Sequence, residues 1–218
     1  MNKVTEALLK KVSDWKGDFK GAYNIRENGQ CAGRRSSENI RIENKTDGPG
    51  LVIHISSAAQ GETVYIPACV TRGNVSDLVY NDFYVGEGAD VTIVAGCGVH
   101  TDNEGEAEHD GIHRFFLEKG AHVLYREKHV GTGSGTGLKK INPVTDMELK
   151  ENAVMEMDTI QLGGVDDTKR VTKAVLGEGA RLVIHERILT DGEERANTDF
   201  EVSMDGEDSA VDLISRSE

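Results

Sequence analysis

The stretch AGCGVH (residues 95–100) places Cys97 between Gly96 and Gly98, with His100 three residues further on. Flanking glycines remove side chains that would keep a second group away from the sulfur. A nearby imidazole lowers a thiol's pKa or shares a metal with it, because the thiolate is both the nucleophile and the soft ligand. The plain alternative is a cysteine packed as a small hydrophobe, as most free cysteines are. His109 and His113, in EHDGIHRF, have the H-x-x-x-H spacing of a helical metal site. Gly111 and the apolar alternation after it point to a strand instead. There four residues span roughly 13 Å, too far for one ion to be held by both rings. Either histidine can still meet Cys97 from an adjacent coil, but the default is a hydrogen-bonded or surface imidazole.

Other motifs carry less. GTGSGTGLKK (131–140) looks like a phosphate cradle, yet Gly137 is followed by Leu138 rather than by the Lys of a G-K-S/T ending, and G-x-G-x-x-G threads it in no single register. It reads as a flexible loop. The acidic runs TDNEGEAEHD (101–110) and TDGEER (190–195) read as solvated loops, although carboxylates attract iron. Cys31, Cys69 and Cys97 include no C-x-x-C pair, so neither a disulfide framework nor a zinc ribbon is indicated, and Cys69 reads as core. No metal-ligand set and no nucleophilic triad stands out, so the metal is left unassigned.

These residues need a frame to hold them. The formal charge of −13 disfavours nucleic acid and anionic membranes as partners. No run approaches the roughly 20 apolar residues that cross a bilayer. Reduced cysteines and the absence of a signal-like apolar segment suit a cytoplasmic protein. In MNKVTEALLKKVSDW, Val4, Leu8, Val12 and Trp15 share one helical face, which predicts a short docking helix within residues 1–20. From residue 21 to 218 the chain repeats itself. VGEGADVTIVA (85–95), LEKGAHVLYRE (117–127), LKENAVMEMDT (149–159) and LGEGARLVIHE (176–186) align on Ala89, Ala121, Ala153 and Ala180, spaced 32, 32 and 27 residues apart. After each alanine, alternate positions are apolar, the period of a strand with one buried face. A fifth copy, MDGEDSAVDLIS, keeps the pattern only if shifted by one residue, so that Val211 and Leu213 face inward and Asp212 outward. The expected architecture is an all-β solenoid, each period read as two turns of about 16 residues, with an antiparallel β-sandwich as competitor.

GAYNIRENG (21–29), VYNDFYVGEGADVTIVAGCGVH (79–100), HDGIHRFFLEKGAHVLYREKHVGTG (109–133), INPVT (141–145) and QLGGVDDTKR (161–170) together resemble the SufB/SufD family, in its short prokaryotic and archaeal form. The resemblance implies a right-handed parallel β-helix and a non-enzymatic scaffold role in SUF iron–sulfur cluster assembly. It further implies a SufC-type ATPase, a SufB/SufD-type partner or a second copy of the chain, and a sulfur donor protein. Cys97 matches the family segment where persulfide sulfur enters, which makes it a sulfur acceptor or cluster ligand; His100 is added on proximity alone. Family members continue past SRSE (215–218) into further strands and a helical segment. The expectation is therefore a C-terminally truncated chain that does not by itself hold the transient cluster. Two other readings stand beside this one: a catalytically silent SufD-like partner, and a β-helical carbohydrate-active enzyme, which the 5% aromatic content disfavours.

Overall fold

A computed structural model describes residues 1–218. One helix, α1 (Lys3–Val12), precedes β1 (Ala22–Glu27), β2 (Gln30–Arg35), β3 (Ile40–Asn44), β4 (Gly50–Ile55), β5 (Gln60–Tyr65) and β6 (Ala68–Val70). Four long strands follow: β7 (Val75–Val85), β8 (Asp90–His100), β9 (Ala107–Leu117) and β10 (His122–Thr132). The remainder are β11 (Lys139–Ile141), β12 (Val144–Leu149), β13 (Val154–Gln161), β14 (Asp167–Leu176), β15 (Arg181–Ile188), β16 (Arg195–Met204) and β17 (Ala210–Ser217). They form a parallel β-helix of about 6 turns. One sheet runs β17-β15-β13-β10-β8-β5-β1-β2, with β6 beside β1 and β8. The other runs β11-β14-β12-β9-β7-β4-β3, with β16 on β14. Only the β1–β2 and β3–β4 pairs are antiparallel, so the sandwich alternative is excluded.

The period is one coil, not two. Asp90 pairs with His122 and His122 with Val154, while on the other sheet Val75 pairs with Ala107. The reading of two 16-residue turns fails because β7 to β10 are each 11 residues long. At about 3.3 Å per residue, two such strands and two corners use up the whole repeat.

Each recurring alanine closes the same corner. Ala89, Ala121, Ala153 and Ala180 are 0% exposed, and each donates its N–H to the carbonyl three residues earlier at 3.0–3.1 Å. The preceding residue has positive φ in every copy (Gly88, Gly120, Asn152, Gly179), which selects glycine or asparagine there. Ala59 closes an earlier corner with the same bond, its N–H donating to Ser56 at 3.0 Å, but with no positive-φ residue before it. In the fifth copy Val211 pairs with Leu182 and Leu213 with Ile184, so the shifted register holds.

Inside the coils, stacked side chains seal one another from water. Val91, Ile93, Val123, Tyr125, Met155, Met157, Leu182 and Ile184 are none of them more than 3% exposed. Phe83 and Phe115 stack between coils with centroids 4.7 Å apart. Helix α1 is capped by Asn2, whose side chain accepts from Thr5 N–H at 2.8 Å, with Lys10 and Lys11 in its last turn, where the helix dipole favours cations. Its buried face, Leu8, Leu9 and Val12, lies on the outer surface of the first sheet and covers Cys69. No helix is long and apolar enough to cross a membrane.

Candidate functional site

Away from the apolar core, inward positions of the same alternation turn polar. On β10 the inward series runs Tyr125, Glu127, His129, and the register places His129 between Cys97 of β8 and Gln161 of β13. Facing them from the other sheet are Asp77 of β7, His109 and His113 of β9, and Thr168 and Arg170 of β14, each no more than 5% exposed.

Arg170 organises one end of this interior. Its Nη2 donates to Glu127 at 2.6 Å, and its Nε lies 3.3 Å from Glu186. Burial acts to raise the pKa of Glu127, but Arg170 and then His129 outweigh it and hold the carboxyl well below its ordinary range. Tyr125 donates its hydroxyl proton to Glu127, so its oxygen accepts from His113 Nδ1–H at 2.9 Å. That leaves His113 Nε2 as an acceptor, facing Asn81 Nδ2 at 3.4 Å, and turns Asn81 Oδ1 into a buried acceptor without a partner. His129 Nε2 is 3.2 Å from Glu127 but not aligned for a hydrogen bond, and both its ring nitrogens lack one. Gln161 accepts from Thr168 at 2.9 Å, leaving its amide nitrogen unpartnered. Each such group costs about 1–3 kcal/mol if left dry.

At the other end, Asp77 binds Arg26 of β1 through Nε at 2.8 Å and Nη2 at 2.7 Å, and His109 Nδ1 at 3.1 Å. Burial alone would raise the Asp77 pKa, yet these hydrogen bonds, His109's first, hold it far below the ordinary carboxylate range. A cavity of about 10 Å³ lies between the sheets, lined by Arg26, Asn81, Cys97, His109 and His113 among others. That is room for about one water. The two histidines converge there: a Cβ on Gly111 would sit 3.2 Å from His109 Nε2 and 3.4 Å from His113 Nε2. The strand spacing that separates their backbones therefore does not separate their rings. No group of three or more His, Cys, Asp or Glu is placed to hold a metal.

The three cysteines differ sharply. Cys31 is exposed on the β1–β2 hairpin. Cys69 packs beneath α1, and burial, then Glu27, pushes its thiol up to about 12. Cys97 faces inward, and burial, with Glu127 next, raises its pKa well above the ordinary thiol value. Gly96 and Gly98 do not open a path to the sulfur as expected. They point to the opposite face, where a Cβ would meet Val12 and Leu8 of the docked helix. His100 does not join Cys97 either: three residues on, it takes the other face of the strand and bonds Thr132 at 2.9 Å and Asp102 at 2.8 Å. The GTGSGTG segment is no free loop, since Gly135 and Gly137 donate to Thr101 and Asn103 of the coil beneath at 3.0 and 2.9 Å.

Sequence reading missed Asp77, Glu127, His129, Arg170 and Glu186. The available signal was charge at inward positions: Glu127 and His129 follow Tyr125 at steps of two.

The interior predicts an acid-sensitive fold. Burial pushes His113 down to about 4 from 6.5. Between those values the unfolded chain binds the proton and the folded chain does not, so stability is full above about pH 6.5 and falls by about 3 kcal/mol as pH drops to 4. Asp77 and Glu127, both depressed, add further loss only once pH falls into the ordinary carboxylate range. Urea melts should therefore show a lower midpoint at pH 4.5 than at pH 7.5. Replacing His113 with Gln should reduce the change between pH 6.5 and 4.5, leaving the share that His129, also depressed by burial, contributes.

Fold and site define a class: a β-helix whose coils enclose a polar chamber with one inward thiol. The family model described as SUF system FeS cluster assembly, SufBD core domain, matches residues 76–217. The chain belongs to the SufB/SufD family, with a role in SUF iron–sulfur cluster assembly. No curated protein matches it.

Proposed function

We propose that this chain is a non-enzymatic scaffold of SUF cluster assembly in which Cys97 accepts sulfane sulfur from a sulfur donor protein. The observation that carries the reading is the placement of Cys97 alone, of three cysteines, on a small cavity between the two sheets, beside Arg26, Asn81, His109 and His113. A cavity of about 10 Å³ suits one sulfur atom or one water and is too small for a cluster. Cys97 thus holds sulfur in transit, and the cluster is cargo completed elsewhere. Family membership supports a SufC-type ATPase, a SufB/SufD-type partner or second copy, and a cytoplasmic setting as the working context.

The test is persulfide loading from a small persulfide donor under anaerobic conditions, read by mass spectrometry on each cysteine peptide. Cys97→Ser should abolish loading of the interior while Cys69→Ser leaves the Cys97 peptide loaded. If Cys97 in the wild-type chain takes up no sulfur, the reading fails, and a catalytically silent SufD-like partner becomes the better description.

A further inference from the structure

Cys97 has the wrong protonation state for a nucleophile. Its burial keeps the thiol protonated at neutral pH, and Glu127 adds to that effect. A thiol in this condition attacks only if something takes its proton. Of the imidazoles near it, His113 is a poor acceptor, pushed down to about 4 and committed to Tyr125. His129 is likewise depressed by burial.

His109 has its ring fixed by a carboxylate. It is 1% exposed, and its Nδ1 is held at 3.1 Å by Asp77. An ionised carboxylate only accepts, so Nδ1 carries the proton and Nε2 bears the lone pair. That Nε2 has no hydrogen-bond partner and sits over Gly111, on the cavity that Cys97 also lines. Asn81 Oδ1, buried and unpartnered, lines the same space and can hold a water between ring and sulfur. Asp77 is itself locked by Arg26 through two nitrogens, which fixes the dyad from behind.

We infer that His109, oriented by Asp77, is the base that takes the Cys97 proton through the one water the cavity admits, so that Asp77, His109 and Cys97 act as an acceptor triad for sulfane sulfur. This rests on the role proposed for Cys97. In the step, the Cys97 thiol proton passes to His109 Nε2 and the water gives up its place; Cys97 Sγ then attacks the outer sulfur of a donor persulfide, R–S–SH. A new Cys97 S–S bond forms and the donor S–S bond breaks, its electron pair leaving on R–S⁻. The outer sulfur keeps its hydrogen, and the imidazolium proton neutralises the departing thiolate. No external oxidant or reductant is required.

The experiment follows Cys97 persulfidation, and separately its modification by methyl methanethiosulfonate, on the Cys97 peptide between pH 5.5 and 9. The groups facing this thiol are Arg26 from β1, Asp77 from β7, and His109 and His113 from β9. Tyr125, Glu127 and His129 from β10 and Arg170 from β14 complete the set, with Cys69 on β6 acting through the wall. In the wild-type chain the rate should level within this range. His109→Gln should slow it by about a hundredfold, the usual scale of general-base assistance, and remove that plateau. Asp77→Asn should slow it less. A wild-type rate that climbs tenfold per pH unit throughout, as an unassisted buried thiol would, overturns the inference even if His109→Gln does not fold. So does an unchanged rate in folded His109→Gln. Failure of Cys97 to take up sulfur, with normal methyl methanethiosulfonate kinetics, would instead sink only the sulfur-acceptor role and leave the proton relay standing.

Discussion

Arg170→Met is expected to lower the unfolding free energy by about 3–5 kcal/mol, the usual loss when one member of a buried ion group is removed. Arg170 is the sole cation shown bonding both buried carboxylates, Glu127 at 2.6 Å and Glu186 at 3.3 Å. Methionine fills much of the same volume, so the loss reports charge rather than cavity. With the guanidinium gone, burial has less to oppose it, and the depressed pKa of Glu127 should move upward. Pairing Arg170→Met with Glu127→Gln should recover part of the loss, because the stranded charge is then absent. Urea denaturation at pH 7.5 measures both. A single-mutant loss under about 1 kcal/mol, the range of an exposed pair, would show that the interior is wet enough to screen the group.

The same residues show how far the chain's pattern could be read. Alternation after Ala89, Ala121, Ala153 and Ala180 was legible because the corner is made of backbone bonds and a left-handed residue, both of which constrain residue type locally. Coil size was not, since strand length depends on how far pairing continues into the neighbouring coil, and glycines inside β8 look like turn signals. Gly96 and Gly98 are there for α1, a partner some 85 residues earlier in the chain. Cys97 stood out by its flanks, although the flanks serve another purpose. The groups that give it chemical meaning, Asp77 and His109, sit 20 and 12 residues away and meet it only because two sheets face each other. His100, its nearest histidine in the chain, lies on the wrong face of the strand, since an offset of three in a period of two always does. Charge at an inward position is the one local mark the polar chamber leaves in the sequence.

Gly96 gives the second large effect. Its backbone is ordinary strand, so alanine is conformationally acceptable, but the added Cβ would lie 2.3 Å from the Val12 carbonyl oxygen and 2.8 Å from its carbon. Neither atom is the tip of a flexible side chain, so the end of α1 must lift. Docking of α1 rests on the burial of Leu8, Leu9 and Val12, none more than 1% exposed. An overlap costing about 2 kcal/mol makes local opening about thirtyfold more frequent. Cys69 is the reporter, because the helix covers it. Gly96→Ala should therefore raise Cys69 alkylation by about thirtyfold and expose the Lys10 and Lys11 bonds to trypsin. The coils from β7 onward should stay folded, since their pairing does not involve α1. Gly48→Ala, where a Cβ meets nothing within 4 Å, is the matched control and should change neither readout. Equal Cys69 reactivity in Gly96→Ala and wild type would mean that β8 yields instead of the helix; the strand carrying Cys97 would then be softer than its stacking implies, and the thiol's fixed position inside the chamber would no longer follow.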